Sequence, residues 1–171
     1  MRKSELEDEF ITQVMDAQGI IHKVCSVYSS TVEQRKDLFQ EILIQLWKSY
    51  PSFRGEAKFS TWMYRVSLNV ALQQFRKKTN KIEEYQLTPQ LFELPEDAPE
   101  EINPEHTRLL HIAIAQLNDI EKAIIMLYLE EKEYEEIAEI VGITQNYVRV
   151  KMNRIKSKLK QILNPEANGT E

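Results

Sequence analysis

Three observations predict an all-α fold: two small helical bundles joined by an acidic, proline-containing linker, the C-terminal bundle a helix-turn-helix. Apolar residues recur at helical spacing through both halves of the 171-residue chain, and no convincing strand alternation appears. Residues 81–106 hold four of the six prolines and eight acidic residues against one basic residue. Residues 134–154 carry the small, glycine and capping residues of a tight turn between two helices. The expected division is an N-terminal helical domain at 1–80, a flexible acidic linker at 81–106, a C-terminal helix-turn-helix domain at 107–163 and a disordered tail at 164–171.

The elements follow in order. Residues 10–28 read as one helix or two, with Gly19 as the candidate interruption. Leu38, Phe39, Ile42, Leu43, Leu46 and Trp47 share one helical face. Asp37 suits the first turn of that helix, where the dipole favours an acid, and Pro51 marks its end. Residues 53–59 hold Gly55 and read as a loop. Ser60 or Thr61 is the expected N-cap of a helix running to about Lys78. The linker cannot bury enough apolar surface to offset its ordering entropy, and its prolines block long helices. Beyond it, residues 109–117, 120–129, 134–141 and 145–163 are apolar-periodic, with Asn118-Asp119 as a stop and cap.

Composition excludes several function classes. The four glycines, Gly19, Gly55, Gly142 and Gly169, permit neither a Walker loop nor a GxGxxG dinucleotide loop. His22, His106 and His111 lack ligand partners at useful spacing, so no metal, cofactor or catalytic residue is expected and the chain does not read as an enzyme. Cys25, the one cysteine, has no disulfide partner in the chain and suits a reducing compartment. No apolar run reaches the roughly 20 residues that span a bilayer, and the N-terminus turns acidic where a signal peptide is apolar. A cytoplasmic protein with no membrane insertion of its own is expected.

The turn at 142 carries the most specific chemistry. Ala138 is small enough for a second helix to cross closely. Gly142 can take a positive φ and end the first helix, Ile143 fills the corner, and Thr144 caps the second helix. Ile137, Val141, Val148 and Met152 or Ile155 would share the core. Residues 147–160 then carry six basic residues and no acidic one: Arg149, Lys151, Arg154, Lys156, Lys158 and Lys160. A helix of this kind enters the major groove, with cations on phosphates and Arg149 or Arg154 within reach of guanine edges. The plainer alternative is a solvated helix in an αα-hairpin.

A second acid-free stretch covers residues 57–82. Lys58, Arg65, Arg76, Lys77, Lys78 and Lys81 are interleaved with Phe59, Trp62, Tyr64 and Phe75, and Phe53 stands just before. Cations beside aromatic rings suit unstacked, single-stranded bases. Trp62, Val66 and Val70 lie at helical spacing and fit a core better than a base platform.

These blocks carry a family resemblance. Asp37-Leu-Phe-Gln-Glu-Ile-Leu-Ile-Gln-Leu-Trp47, then Phe53-Arg-Gly-Glu-Ala-Lys-Phe-Ser-Thr-Trp-Met-Tyr-Arg-Val-Ser-Leu-Asn69, then the helix-turn-helix, resemble a bacterial RNA polymerase sigma factor of the extracytoplasmic-function branch. The resemblance spans about residues 20–163. It implies a factor that binds core RNA polymerase, through its β and β′ subunits, and directs it to promoters. The first bundle would melt and read the minus-ten element, and the second would bind the minus-thirty-five element as duplex. Asp37, Gln40 and Glu41 would dock on the β′ clamp. Phe53, Arg54, Lys58, Ser60, Thr61, Tyr64, Arg65, Asn69, Arg76 and Lys77 would face the minus-ten DNA, with 53–60 forming a pocket for a flipped-out base. Thr144, Gln145, Asn146, Tyr147, Arg149, Val150, Lys151, Asn153 and Arg154 would face the minus-thirty-five DNA. The resemblance also implies an anti-sigma partner, and a linker that threads near the polymerase active site. The chain departs from the pattern at Asp16-Ala-Gln-Gly19, where relatives carry a Gly-Asp turn.

The alternative reading is a two-domain helix-turn-helix regulator that works without core polymerase. The formal charge of −5 taken as an average argues against any nucleic-acid binder. The linker alone contributes −7 and the remainder +2, so the acidic segment sets the sign.

Overall fold

The computed structural model describes residues 2–79 and 104–168, and all regular structure among them is helical. Residues 80–103, which include most of the expected linker at 81–106, lie outside the described residues. The chain divides into two units, residues 1–87 and 88–171.

The first unit holds α1 (Lys3–Asp16), α2 (Gln18–Tyr28), α3 (Val32–Ser49), a 3-10 turn (Tyr50–Ser52) and α4 (Phe59–Thr79). The break between α1 and α2 falls at Ala17, with φ −113°, and not at the expected Gly19, which lies inside α2. At the break the Ala17 N–H is shared between the Gln13 and Val14 carbonyls, at 3.2 Å each, which tightens the last turn of α1, while Phe10 and Val14 of α1 and Ile21, Val24 and Cys25 of α2 all bury. Thr31 caps α3 by accepting from the Gln34 N–H at 3.1 Å, and the Gln34 carbonyl oxygen of the side chain accepts from the Ser30 N–H at 3.0 Å. This start places Glu33, not Asp37, in the first turn, which corrects the dipole argument for Asp37. Leu38, Ile42 and Leu46 bury against α2 and α4. Pro51 stands in the 3-10 turn that closes α3.

Helix α4 starts at Phe59, earlier than a Ser60 or Thr61 cap would allow. Four aromatic rings set that start. Phe59 meets Phe53 at 5.7 Å and Trp62 at 5.4 Å between ring centroids, and Tyr50 meets Trp62 at 6.2 Å. Met63, Tyr64, Leu68, Val70 and Ala71 complete the core of this unit.

The second unit holds α5 (Pro104–Ala115), α6 (Asp119–Leu129), α7 (Tyr134–Val141), α8 (Gln145–Leu163) and a 3-10 turn (Pro165–Asn168). Pro104 to His106, expected to belong to the linker, open α5, because proline's fixed φ suits a first helical position. The expected disordered tail likewise holds the turn at Pro165–Asn168, which follows directly on α8 with Pro165 and Glu166 exposed. Asn118 caps α6 as expected and does so reciprocally. Its side chain accepts from the Glu121 N–H at 2.9 Å, and Glu121 Oε2 accepts from the Asn118 N–H at 3.2 Å. Ala123, Ile124, Leu127, Ile137, Val148, Met152 and Ile155 are fully or almost fully buried and tie α6, α7 and α8 together.

Candidate functional site

The helix-turn-helix forms as its residue types dictate. Gly142 has φ +80° and ψ +37°, the left-handed conformation that ends α7. The N–H groups of Gly142 and Ile143 both donate to the Ala138 carbonyl, at 2.9 and 3.1 Å. Thr144 Oγ1 accepts from the Tyr147 N–H at 3.1 Å and caps α8. Val148, Met152, Ile155 and Leu159 bury one face of α8. Val141 is only half-buried, and Ile140 takes the core position instead.

With about 3.6 residues per turn, the face of α8 opposite that core carries Asn146, Val150 and Asn153. All three are exposed, as are Thr144, Gln145, Tyr147, Arg149 and Arg154. No ion pair within the described residues engages Arg149 or Arg154, and both charges are available to an anionic partner. Lys156 lies with Nζ 5.0 Å from the centre of the Tyr128 ring.

Lys151 departs from the expected DNA-facing set. Its side chain is 16% exposed, with Nζ 4.0 Å from Glu121 Oε1. Lys158 Nζ donates to the same oxygen at 2.6 Å. Glu121 is 1% exposed. Burial pushes its carboxyl up, but the Lys158 hydrogen bond, the Asn118 N–H and the charges of Lys158 and Lys151 outweigh that and hold it below its ordinary value. Sequence reading missed Glu121. The available signal was the Asn118-Asp-Ile-Glu121 capping box, which draws that carboxylate onto the end of α6.

In the first unit, α3 presents Asp37, Gln40 and Glu41 to solvent on the face opposite Leu38, Ile42 and Leu46. Ile44, two turns on from Asp37, stands in the middle of that face and is 48% exposed. It is a further residue that sequence reading did not single out, although the helical face of Leu38, Phe39, Ile42, Leu43, Leu46 and Trp47 already leaves it outside the core.

Helix α4 exposes Asn69, Gln73 and Lys77 at four-residue spacing, with half-buried Arg65 one turn earlier. Lys58 and Arg54 are exposed on the loop, where Gly55 takes φ +72°. Phe53 and Ser60 are half-buried. Two expected DNA-facing residues are not on the surface. Tyr64 is 2% exposed and Thr61 is 4% exposed, because both point into the core between α4 and its neighbours. Trp62 is half-buried against Phe53, with ring centroids 5.0 Å apart. Phe75 meets Tyr28 edge-on at 6.2 Å and so anchors α4 to α2. The side chain of Arg76 lies outside the described residues.

The remaining titratable candidates carry no site. Cys25 is fully buried, and desolvation, opposed by the Arg35 charge, pushes its thiol up to about 12, which removes the reactive thiolate. Among the described residues no three His, Cys, Asp or Glu side chains gather as metal ligands. No described helix is long and apolar enough to cross a membrane.

Comparison with known proteins gives these two surfaces a family. Residues 14–81 match sigma-70 region 2, and residues 107–159 match sigma-70 region 4. An extracytoplasmic-function RNA polymerase sigma-E factor of Haemophilus influenzae is 31% identical over 140 residues, spanning 75% of this chain and 74% of that protein. The chain belongs to the extracytoplasmic-function sigma factors.

The sigma factor SigW of Bacillus subtilis is 28% identical over 170 residues, covering 92% of this chain and 90% of that one. The fold is shared with the sigma factor RpoE of Bartonella quintana, solved in complex with the anti-sigma factor NepR. The TM-score is 0.72 at 17% identity, over 92% of this chain and 98% of that chain. CnrH, solved with the cytosolic domain of CnrY, gives a TM-score of 0.66 at 15% identity, over 94% and 90% of the two chains. As a sigma factor the chain directs RNA polymerase to promoters, and its partners are core RNA polymerase and promoter DNA. The two regions occur in order on one chain, which disfavours a helix-turn-helix regulator that works without polymerase.

Proposed function

We propose a division of labour within this sigma factor. The exposed α3 face of Asp37, Gln40 and Glu41 docks on core polymerase at the β′ clamp. The loop at Phe53, Arg54, Lys58 and Ser60, with Arg65, Asn69, Arg76 and Lys77 of α4, holds the minus-ten element as melted single strand. The start of α8, from Thr144 to Arg154, reads the minus-thirty-five element as duplex. The observation that carries this reading is the sorting of α8: Val148, Met152 and Ile155 are buried, while Asn146, Arg149, Val150, Asn153 and Arg154 face solvent.

The chemistry is binding and strand capture, with no catalysis by the chain itself, in the cytoplasm. Extruding a base costs a few kcal/mol, so a shaped loop is a source of selectivity. An anti-sigma factor is a proposed partner, because the similar RpoE fold was solved with one.

Run-off transcription with purified core polymerase tests the reading. The wild-type chain is expected to start transcripts at a subset of promoters. Asp37→Arg is expected to abolish core binding with helix content intact. Arg149→Ala is expected to cost about 1–3 kcal/mol on the matched duplex and much less on a mismatched one. Normal core binding by Asp37→Arg would refute the docking role, and an equal loss on every duplex would reduce Arg149 to a phosphate contact.

A further inference from the structure

The cations of α8 are not equivalent. The uncharged strip of Asn146, Val150 and Asn153 runs between two basic flanks. Arg149, Lys156 and Lys160 lie on one flank, and Arg154, Lys151 and Lys158 on the other, by the helical turn of about 100° per residue. Two of the three cations on the second flank, Lys151 and Lys158, are tied down. Lys158 and Lys151 reach Glu121 Oε1 at 2.6 and 4.0 Å, while Oε2 of the same carboxylate accepts from the Asn118 N–H at 3.2 Å. Glu121 is 1% exposed, so a single buried carboxylate links the N-terminus of α6 to two positions of α8 about two turns apart. The carboxylate is buried and the Lys151 side chain is 16% exposed, while the Lys158 side chain is 50% exposed and is held by its 2.6 Å charge-assisted hydrogen bond.

We propose that Glu121 is a positioning residue for DNA recognition, which fixes α8 against the start of α6 and withholds Lys151 and Lys158 from the DNA phosphates. Phosphate contact then falls to Arg149, Lys156 and Lys160 on one flank and to Arg154 alone on the other. The footprint on the two DNA strands is unequal, and it is narrower than six basic residues in the sequence suggest. This inference rests on the reading of α8 as the DNA-facing helix.

The test is the salt dependence of holoenzyme binding to a duplex promoter fragment on which it initiates, measured at a temperature where the duplex stays closed. Each phosphate contact contributes about −0.9 to the slope of log affinity against log salt. Lys158→Met is expected to leave the slope unchanged. Arg154→Met is expected to make it shallower by about 0.9. Glu121→Gln keeps an oxygen for the Asn118 cap but removes the charge, and is expected to steepen the slope by about 0.9 for each lysine it releases. A slope made shallower by Lys158→Met overturns the proposal, and so does a folded Glu121→Gln with an unchanged slope. If Glu121→Gln fails to fold, the Lys158→Met slope decides alone. Failure of the underlying reading looks different: Arg149→Ala and Arg154→Met would then both leave affinity and slope at wild-type values.

Discussion

Replacing Gly142 by alanine isolates the backbone cost of the turn that aims α8. The residue sits at φ +80°, and a Cβ built there meets nothing within 4 Å. Crowding therefore adds nothing, and the cost is the left-handed conformation itself, about 1–2 kcal/mol for a residue with a Cβ. For a unit of this size that corresponds to a fall in melting temperature of roughly 5–15 °C. Asparagine tolerates the same conformation and is expected to fall between glycine and alanine. Both tryptophans, Trp47 and Trp62, lie in the first unit, so two signals separate the units within one full-length sample. Circular dichroism of Gly142→Ala should show an earlier loss of helix, while the tryptophan fluorescence transition stays in place. Well below the transition, duplex binding should match wild type, because the two N–H bonds to the Ala138 carbonyl still form. A Gly142→Ala chain as stable as wild type refutes the strain argument. A tryptophan transition that moves equally refutes its locality.

Three other perturbations separate competing accounts. Ile44→Asp is expected to weaken core polymerase binding by about 1–3 kcal/mol with the fold intact, since Ile44 is 48% exposed amid Asp37, Gln40 and Glu41; wild-type titration of core would show that the face is merely solvated. Ser67 Oγ is buried without a hydrogen-bond partner among the described residues, so Ser67→Ala is expected to be neutral or to stabilise by up to about 1 kcal/mol, and a loss of that size in urea unfolding would reveal a bond to the hydroxyl. The Glu121 carboxyl is depressed in the folded unit, so its stabilisation is fully present above its ordinary value of 4.5 and is lost as pH falls through the lower folded value. Wild type should therefore lose its stability advantage over Glu121→Gln below pH 4.5, and parallel unfolding curves in that range would contradict the assignment.

Local chemistry was enough to place much of this chain. The spans Tyr134–Val141 and Gln145–Leu163 were readable residue for residue, because Gly142 and Thr144 set the end of one helix and the start of the next through their own backbone preferences. Asn118 marked the start of α6 for the same reason. The ordered blocks around Asp37 and Phe53 identified the family, since long matched runs are far more specific than a lone helix-turn-helix.

What depended on distant neighbours was not readable. Ala17 rather than Gly19 breaks the first helices, and no residue type there announces the break, while Gly19 continues α2 without a positive φ. Thr61 and Tyr64 sit in a basic, aromatic stretch that suits DNA, yet the core claims them. Lys151 and Lys158 look like free cations until a carboxylate 30 and 37 residues earlier folds against them. Sequence by itself determined which segments are helical, where the strongest turn falls and which family the chain joins, because caps, periodicity and motif order act over a few residues. Only the tertiary structure decided which charges and rings reach the surface, because that depends on which residues distant in the chain bury against one another.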